Sequence, residues 1–195
     1  MITRQRLLAL LFLLKILVEK MKQAEVKKTL DRKFPEPVVA VISCDRKGTP
    51  NIMPVGWSTQ VSVHPPMWAI VINKENYTHH LILESRQFVV IFPSKAQKEA
   101  IRYSGSHSGK EVNKFDYCGL KKIPAQKVRP PLIKDCVAAL ECKLVNFVES
   151  GDHTIFVGTI VAAHISERHY ERLYNFRKKG SDVLKTVSEF EKGKL

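Results

Sequence analysis

The 195-residue sequence predicts a mainly β protein, an antiparallel barrel with peripheral helices. Apolar runs of strand length recur at short spacing through the middle of the chain, and turn residues separate them. Two longer apolar runs are joined by Ser150-Gly151-Asp152, which is typical of a tight hairpin. Strands linked by hairpins favour an antiparallel barrel over a sheet of alternating strands and helices. The length suits one domain with a single core.

Turn-forming residues divide the first half of the chain into predicted elements. Residues 5–30 are predicted to be helical, and residues 38–44 form a continuous apolar strand. Residues 45–50 carry turn chemistry, so a hairpin partner is expected over 51–58. The next elements are a strand at 67–73, a helix at 77–84 with Leu81 and Ile82 inward, a strand at 87–92, and a helix over 94–102 with Ser94 as its N-cap.

Two long strands dominate the second half of the predicted fold. Residues 103–131 contain several Gly and Pro and are expected to form loops. Residues 136–148 alternate between apolar and polar positions, with the charged Glu141 and Lys143 on the face opposite the apolar side chains. Residues 154–165 return as an apolar strand after the tight turn. These two strands are expected to pair as a hairpin.

We therefore predict a barrel domain over residues 34–166 with a helical extension at each end. The N-terminal extension covers residues 1–33. The C-terminal extension covers residues 167–195, and its residues 167–192 are predicted to form two helices, broken at Gly180-Ser181.

The N-terminal extension begins with a basic and then strongly apolar stretch. The apolar run at 7–14 is too short to span a membrane, and no cleavage site of a signal peptide follows it. We expect a helix that packs on the domain or on a partner, and no membrane span. Alternatively, Met21 is the natural start, and residues 1–20 are upstream translation.

The net charge of +13 leaves three classes of partner open. The charge is consistent with nucleic acid binding, with binding of phosphorylated small molecules, or with a lysine-rich solvated surface. The aromatic residues do not alternate with basic ones, so no nucleic acid partner is expected. The four cysteines form no CxxC motif, and most are expected to be small buried apolar residues, which favours a cytoplasmic location.

Several motifs of catalysis or metal binding are missing from the sequence. It contains no GxGxxG, no GxSxG and no HExxH motif, and its histidines and cysteines lack zinc-site spacing. Gly105–Lys110 is too short between its glycines for a P-loop, and Glu111 stands where the magnesium ligand would be. No metal site is predicted.

A corner rich in hydroxyl groups is the main candidate for a binding site. Ser58, Thr59 and Ser62 follow Trp57 at the end of an apparent strand, before Pro65-Pro66 interrupts the pattern. Hydroxyl and backbone N–H donors beside an aromatic ring suit an anion or a cofactor. The same residues are also compatible with ordinary strand and turn positions and a core aromatic.

Four stretches of sequence, in this order, resemble the flavin reductase-like family. They are Pro35-Glu36-Pro37-Val38-Val39-Ala40-Val41 with Gly48-Thr49-Pro50-Asn51; Gly56-Trp57-Ser58-Thr59 through Ser62-Val63-His64-Pro65-Pro66; Asn76-Tyr77-Thr78-His79-His80 with Phe88-Val89-Val90 and then Ser108-Gly109 and Lys114-Phe115; and Ala139-Leu140-Glu141-Cys142 with Gly151-Asp152-His153 and Gly158. The resemblance covers about residues 34–166 and implies the FMN-binding split β-barrel, an antiparallel fold of the Greek-key type.

The resemblance also implies a function. Members of the family bind FMN non-covalently near the interface of a homodimer, and NADH or NADPH reduces the flavin. The reduced flavin passes electrons to free flavin, a ferric chelate or a partner protein. Two alternatives remain, a non-enzymatic FMN-binding electron carrier and an FMN oxidase of the pyridoxamine-phosphate oxidase type.

The resemblance assigns roles to individual residues. His153 is the predicted catalytic residue, which orients the nicotinamide or supplies a proton, because histidine titrates near neutral pH. The predicted cofactor-binding residues are Trp57, Ser58, Thr59, Ser62, Thr78, Ser94, Lys114 and Asp152. Thr78 is expected at a helix N-terminus, where an N-cap and a phosphate ligand are both plausible. Lys114 is equally compatible with a solvated surface.

Overall fold

The computed structural model describes residues 22–177 and 181–191, without the side chains of residues 190 and 191. The chain divides into two units, with the boundary between Lys33 and Phe34. In the first unit, helix α1 (Val26–Leu30) is followed by a 3-10 turn (Asp31–Lys33), and neither contains a buried residue. The predicted helix over 5–30 is therefore confirmed only from Val26, since residues 22–25 are not helical. Its remainder and Met21 lie outside the described residues.

The second unit is built mainly from β-strands. They are β1 (Glu36–Pro37), β2 (Val39–Cys44), β3 (Pro50–Val55), β4 (Ser58–Ser62), β5 (Met67–Asn73), β6 (Gln87–Phe92), β7 (Lys122–Ile123), β8 (Leu132–Ile133), β9 (Ala138–Ser150), β10 (His153–Ile165), β11 (Tyr174–Asn175) and β12 (Leu184–Lys185). The helices are α2 (Tyr77–Ser85), α3 (Lys98–Ser106), α4 (Lys114–Tyr117) and α5 (Val187–Glu191).

One antiparallel sheet forms the barrel, in the strand order β3-β2-β6-β9-β10-β5-β4. The predicted hairpins β2–β3 and β9–β10 are confirmed, and the latter pairs from Ser150 and His153 to the far ends of both strands. Apolar side chains from both faces of the central strands form two buried clusters, because these strands are covered on both sides. A Cβ at Gly158 would lie 2.7 Å from the Phe88 ring, so glycine permits this close approach.

The helices pack against strands of the barrel: α2 contacts β2, and α3 contacts β3. Helix α2 buries Leu81 and Ile82, as predicted. Ser94 begins the next helical segment, and its backbone N–H donates to Gln97 Oε1 at 3.0 Å, which confirms the predicted N-cap. A short 3-10 turn (Lys95–Gln97) leads into α3.

The prediction of two helices over 167–192 is wrong for most of that segment. Residues 174–175 and 184–185 are the short strands β11 and β12, and β11 also pairs with β1. Among the described residues of this segment, only α5 is helical. Within residues 22–177 and 181–191, no helix is long and apolar enough to cross a membrane.

Candidate functional site

Trp57 and His153 form an aromatic contact at the start of β10. Their ring centroids lie 5.0 Å apart, and Trp57 is 50% exposed. The backbone explains the contact, because the N–H of Val71 on β5 donates to the Trp57 carbonyl and Asn73 on the same strand pairs with His153. The turn before β10 places Gly151 at φ 59, a conformation that glycine adopts readily.

The Asp152 carboxylate forms a hydrogen bond with one nitrogen of the His153 ring. The distance from His153 Nδ1 to Asp152 Oδ1 is 2.6 Å, and the hydrogen bond with His153 keeps the pKa of Asp152 below its usual range. The carboxylate accepts, so Nδ1 carries the proton and Nε2 is left for another partner. A carboxylate that orients a histidine in this way is a common arrangement in acid–base chemistry.

The hydroxyl residues lie on a separate strand rather than at the end of the preceding one. The sequence analysis extended β3 to residue 58, but β3 ends at Val55, and Ser58 begins β4 after a bend at Gly56 and Trp57. β4 is an edge strand of the sheet, so its outer side has no strand partner among the described residues. Thr59 is exposed, whereas Ser58 and Ser62 are half-buried.

Thr78 belongs to a buried polar pair rather than to a helix cap. Asn51 Nδ2 donates to Thr78 Oγ1 at 2.8 Å, and both residues are almost fully buried. The N-cap of α2 is Asn76, so the predicted capping alternative for Thr78 is wrong. Asn51 Oδ1 has no hydrogen-bond partner among the described residues, and a Cβ at Gly109 would lie 2.1 Å from it. The pair is therefore closely covered by backbone at Gly109.

Lys114 is an internal lysine. Its Nζ donates to the carbonyls of Ile52 at 2.9 Å and Ser104 at 2.8 Å, and the residue is only 4% exposed. The solvated-surface alternative for Lys114 is therefore wrong. Burial lowers the pKa of Lys114 to about 8. Two of the three ammonium donors are engaged, which leaves one for a further acceptor.

A hydrogen bond between sequence neighbours brings the Trp57–His153 contact and Thr78 to the same region. His79, which follows Thr78 on α2, has its Nε2 2.9 Å from the hydroxyl oxygen of Thr154, the residue after His153. The N–H of Lys74 also donates to the Asp152 carbonyl at 3.0 Å. The start of α2 therefore packs beside the start of β10, and the structure brings Trp57, His153, Asp152 and Thr78 to the same end of β10.

Ser94 lies elsewhere in the unit. It is fully buried and forms an isolated antiparallel bridge with Arg172, so the structure gives it neighbours other than Thr78 or His153. Among the described residues, no group of three or more His, Cys, Asp and Glu side chains is placed to hold a metal ion.

Two polar residues that the sequence analysis did not select are buried in the structure. Asn51 interrupts an apolar strand, where asparagine is uncommon, and this is the signal that could have identified it. Glu141 was expected on the outer face of β9, but it is fully buried. Its carboxylate accepts from the backbone N–H groups of Gln126 and Lys127 and lies 2.7 Å from His164 Nε2. Burial raises the pKa of Glu141, but these hydrogen bonds outweigh it and hold the pKa below its usual range.

The fold agrees with the comparisons to known proteins. Residues 31–182 match the model of the flavin reductase like domain, so the chain belongs to the flavin reductase-like family. This match extends beyond the boundary at residue 166 that the sequence analysis assigned to the barrel domain.

Solved structures of flavoproteins have a similar fold. Flavoredoxin of Desulfovibrio vulgaris is 29% identical, with a TM-score of 0.74 over 86% of this chain and 93% of that one. An FMN-binding protein from Thermus thermophilus is 25% identical, with a TM-score of 0.73 over 87% and 97%. The NADH:FAD oxidoreductase of Streptomyces globisporus is 26% identical, with a TM-score of 0.70 over 85% and 97%. The barrel is thus a flavin reductase-like fold.

Proposed function

We propose that this chain is an NAD(P)H-dependent flavin reductase that binds FMN non-covalently. The observation that carries the proposal is the half-exposed Trp57 ring in contact with His153, whose other side is held by Asp152. An exposed aromatic face beside an oriented histidine suits a planar redox cofactor and a nicotinamide. The relatives named for FMN binding and for NADH:FAD oxidoreduction support the same function.

The buried polar pair and α2 fit the phosphate end of FMN. The N-terminus of a helix favours an anion, and Thr78 lies in the first turn of α2. Asn51 Oδ1 is an unpaired buried atom, which is rare unless a further group contributes. The Thr78 hydroxyl accepts from Asn51 Nδ2, which leaves the hydroxyl proton to be donated to a phosphate oxygen. Lys114 adds a positive charge next to Ile52, the neighbour of Asn51.

The sequence sets an upper limit on the distance between the two groups of residues, and this limit is compatible with one extended ligand. Asn51 and Trp57 are six positions apart, which is at most about 20 Å of extended chain. We therefore assign the isoalloxazine to the Trp57 end, with hydroxyl contacts from Ser58, Thr59 and Ser62, and the phosphate to the Thr78 end. Ser94 is left out of this set, because its neighbours are different.

In the proposed reaction, the protein orients two flat ligands and controls one proton. FMN, when bound, supplies the site that takes up two electrons from the nicotinamide and releases them to an acceptor. Trp57 limits the position of one ligand at the exposed edge of the barrel. His153 Nε2 donates or accepts a proton beside that ligand, while Asp152 fixes the orientation of the imidazole and stabilises its protonated form. Free flavin, a ferric chelate or a partner protein is the electron acceptor.

We further propose that the chain functions as a homodimer in the cytoplasm. Several apolar side chains on Trp57 and the strands near it are exposed, and they are Trp57, Val61, Val145, Phe147 and Val148. Exposed apolar side chains of this kind are expected on a surface that a second copy of the chain covers. The edge strand β4 adds an unpaired row of backbone groups, which a partner would protect. All four cysteines are free, which suits a reducing compartment.

Titration with FMN, followed by anaerobic mixing with NADH or NADPH, tests the proposal. We expect saturable binding with shifted flavin absorption bands, and then bleaching of the flavin by one of the nicotinamides. Bound flavin that neither nicotinamide reduces would favour an electron carrier, and no saturable binding of FMN or FAD would contradict the proposal. Light scattering is expected to give twice the chain mass, and a monomer that binds FMN tightly would contradict the dimer.

A further inference from the structure

A cavity of about 300 Å³ lies at the end of β10 that is remote from His153. Residues of β8, of the start of β9 and of the end of β10 line it, and His164 is one of them. His153 is the first of the 13 residues of β10 and His164 is the last but one, so roughly 35 Å of extended strand separates them. The volume is at the lower end of the range for small-molecule sites. The cavity is therefore a second candidate site, separate from the proposed flavin site.

The exposed surface of this lining is mainly apolar. Ile123 is 42% exposed and Ile165 is 84% exposed, so both keep apolar area in contact with water. A ligand with an apolar body would remove part of that area from water, which is favourable. The apolar side chains of the lining are Ile123, Leu132, Ile133, Ala138, Ala139 and Ile165.

His164 offers the cavity a hydrogen-bond acceptor. Its Nε2 lies 2.7 Å from Oε1 of Glu141, which is fully buried. The carboxylate accepts, so in the neutral imidazole Nε2 carries the hydrogen and Nδ1 keeps a lone pair. Within the part of the chain that the structure describes, Nδ1 has no hydrogen-bond partner, and the His164 side chain is 26% exposed. This nitrogen can therefore accept from a donor on a ligand.

The charged side chains of the lining balance one another. Lys134 and Arg168 are its cations, and Asp135 and Glu167 are its carboxylates. Oδ1 of Asp135 already accepts from the Tyr170 hydroxyl at 2.8 Å. An excess of one sign would favour an ion, whereas this balance favours a neutral ligand.

The cysteine of the lining indicates binding rather than covalent chemistry. The Cys136 thiol donates to the Ile133 carbonyl, with 3.3 Å between sulfur and oxygen. Burial raises the pKa of this thiol to about 11. The thiolate is the reactive form of cysteine, so Cys136 is a poor nucleophile at neutral pH.

We propose that this cavity binds a small neutral aromatic molecule that carries one N–H or O–H donor. The apolar ring packs against the aliphatic side chains, and the donor group reaches His164 Nδ1. The buried Glu141 carboxylate strengthens this contact, because hydrogen bonds in a chain polarise one another. The ligand needs no acceptor of its own, since the charged donors Lys134 and Arg168 are exposed to water. Neither the flavin nor the proposed reductase activity takes part in this binding.

Calorimetric titration with indole tests the proposal, in the presence and absence of saturating FMN. Indole is a flat apolar molecule whose N–H is a donor only. We expect saturable binding with a dissociation constant on the order of 1 mM, equal with and without FMN. In 1-methylindole the donor is blocked while the ring is kept. It should bind about 3- to 10-fold more weakly, since one hydrogen bond is lost.

Two variants with a matched control assign the binding to this cavity. Ala138→Leu places a larger side chain in the lining and should weaken indole at least about 10-fold, because the space is filled. Ala163→Leu makes the same change at an exposed alanine outside the lining and should bind like the original protein. His164→Gln keeps an amide donor for Glu141 but lacks the ring nitrogen, and it should weaken indole about 3- to 10-fold. Cooperative thermal unfolding of each variant checks its fold.

The nitrogen resonances of the histidine side chains report the contact without any change of sequence. Indole, but not 1-methylindole, should shift the Nδ1 resonance of His164, which is assigned by its loss in His164→Gln. The His153 resonances should stay in place, because this histidine lies at the other end of β10.

Three results would overturn the proposal. They are no saturable binding of indole, equal affinities for indole and 1-methylindole, and binding that FMN displaces together with a shift at His153. The last result would assign indole to the Trp57–His153 contact. Because none of these measurements requires flavin reduction, failure of the proposed reductase activity would leave their outcome unaffected.

Discussion

The two ends of the proposed flavin site differ in how much water reaches them. At the Trp57–His153 end, the aromatic ring is half-exposed, and the Asp152 side chain is 81% exposed. At the Asn51–Thr78 end, both side chains are almost fully buried, and Lys114 is engaged by two carbonyls. The first end is therefore accessible from solvent, as the proposed exchange of a nicotinamide requires, whereas the second is organised before any ligand arrives.

This contrast separates the roles that each end can have. Exposed hydrogen bonds contribute little to stability, so residues at the Trp57 end are expected to affect the reaction more than the fold. Buried polar groups cost free energy when one partner is removed, so residues at the Thr78 end should affect both folding and affinity. The predictions below test this division, from the largest expected effect to the smallest.

The largest effect is expected for His153→Ala. It should lower the rate of nicotinamide-dependent flavin reduction roughly 10²-fold or more, the range of general acid–base catalysis, and leave FMN affinity unchanged. Stopped-flow reduction of bound flavin isolates this step from the acceptor reaction. His80→Ala, a change at an exposed histidine on α2, is the control. An unchanged reduction rate and an unchanged affinity for NAD(P)H would mean that His153 has no part in the reaction and is only the first residue of β10.

The lowered pKa of the buried Lys114 predicts that the stability of the protein depends on pH. Its pKa in the folded state is about 8, below the ordinary 10.5, so above pH 8 the folded chain releases a proton that the unfolded chain keeps. The contribution of this group to stability is therefore lowest below pH 8 and rises with pH. Between pH 8 and 9.5, the free energy of unfolding of the original protein should rise by roughly 1–2 kcal/mol relative to Lys114→Met.

Urea unfolding without flavin measures this difference in stability. Added FMN, but not riboflavin, should reduce the pH dependence, because a nearby phosphate stabilises the protonated lysine. An equal slope for both proteins would show that the Lys114 ammonium is not penalised by burial. An equal effect of FMN and riboflavin would place the phosphate away from Lys114.

Thr78→Val removes the hydroxyl that accepts a hydrogen bond from the Asn51 side chain. It should weaken FMN about 10-fold or more, and riboflavin much less, since the lost contact is with the phosphate. It should also lower the free energy of unfolding by about 1–3 kcal/mol, because Asn51 loses its acceptor. Thr186→Val makes the same change at another buried threonine and should leave the affinities unchanged. Equal losses for both flavins would remove Thr78 from the phosphate site.

The smallest effect is expected for Asp152→Asn. The carboxylate is exposed to water, so its loss should slow flavin reduction only about two- to five-fold. A loss as large as that of His153→Ala would mean that both residues act as one unit.

Local patterns predicted the barrel well, because its hairpins are formed by neighbours in sequence. The turn chemistry at 45–50 and at Ser150-Gly151-Asp152 identified both hairpins, and alternation identified β9. The C-terminal segment shows the limit of this approach. Its sequence favoured helices, but Tyr174–Asn175 pairs with Glu36–Pro37, a contact that only the folded chain brings together.

The candidate site was predictable in part for the same reason. The turn before His153 and the contact residue Trp57 lie in recognisable stretches, so both could be selected from the sequence. The Asn51–Thr78 bond joins residues 27 positions apart, and no local pattern contains it. Glu141 was expected to be exposed because it alternates with apolar residues, yet the loop at Gln126 and Lys127 covers it and satisfies its carboxylate.

Comparison of FMN with riboflavin in the unmodified protein tests the division between the two ends most directly. Both ligands should show the same shifted isoalloxazine bands, because both place their ring beside Trp57. FMN should bind at least about 10-fold more tightly, because only FMN carries the phosphate that the buried end is expected to bind. Equal affinities for the two ligands would contradict the assignment of one end to the phosphate and the other to the ring.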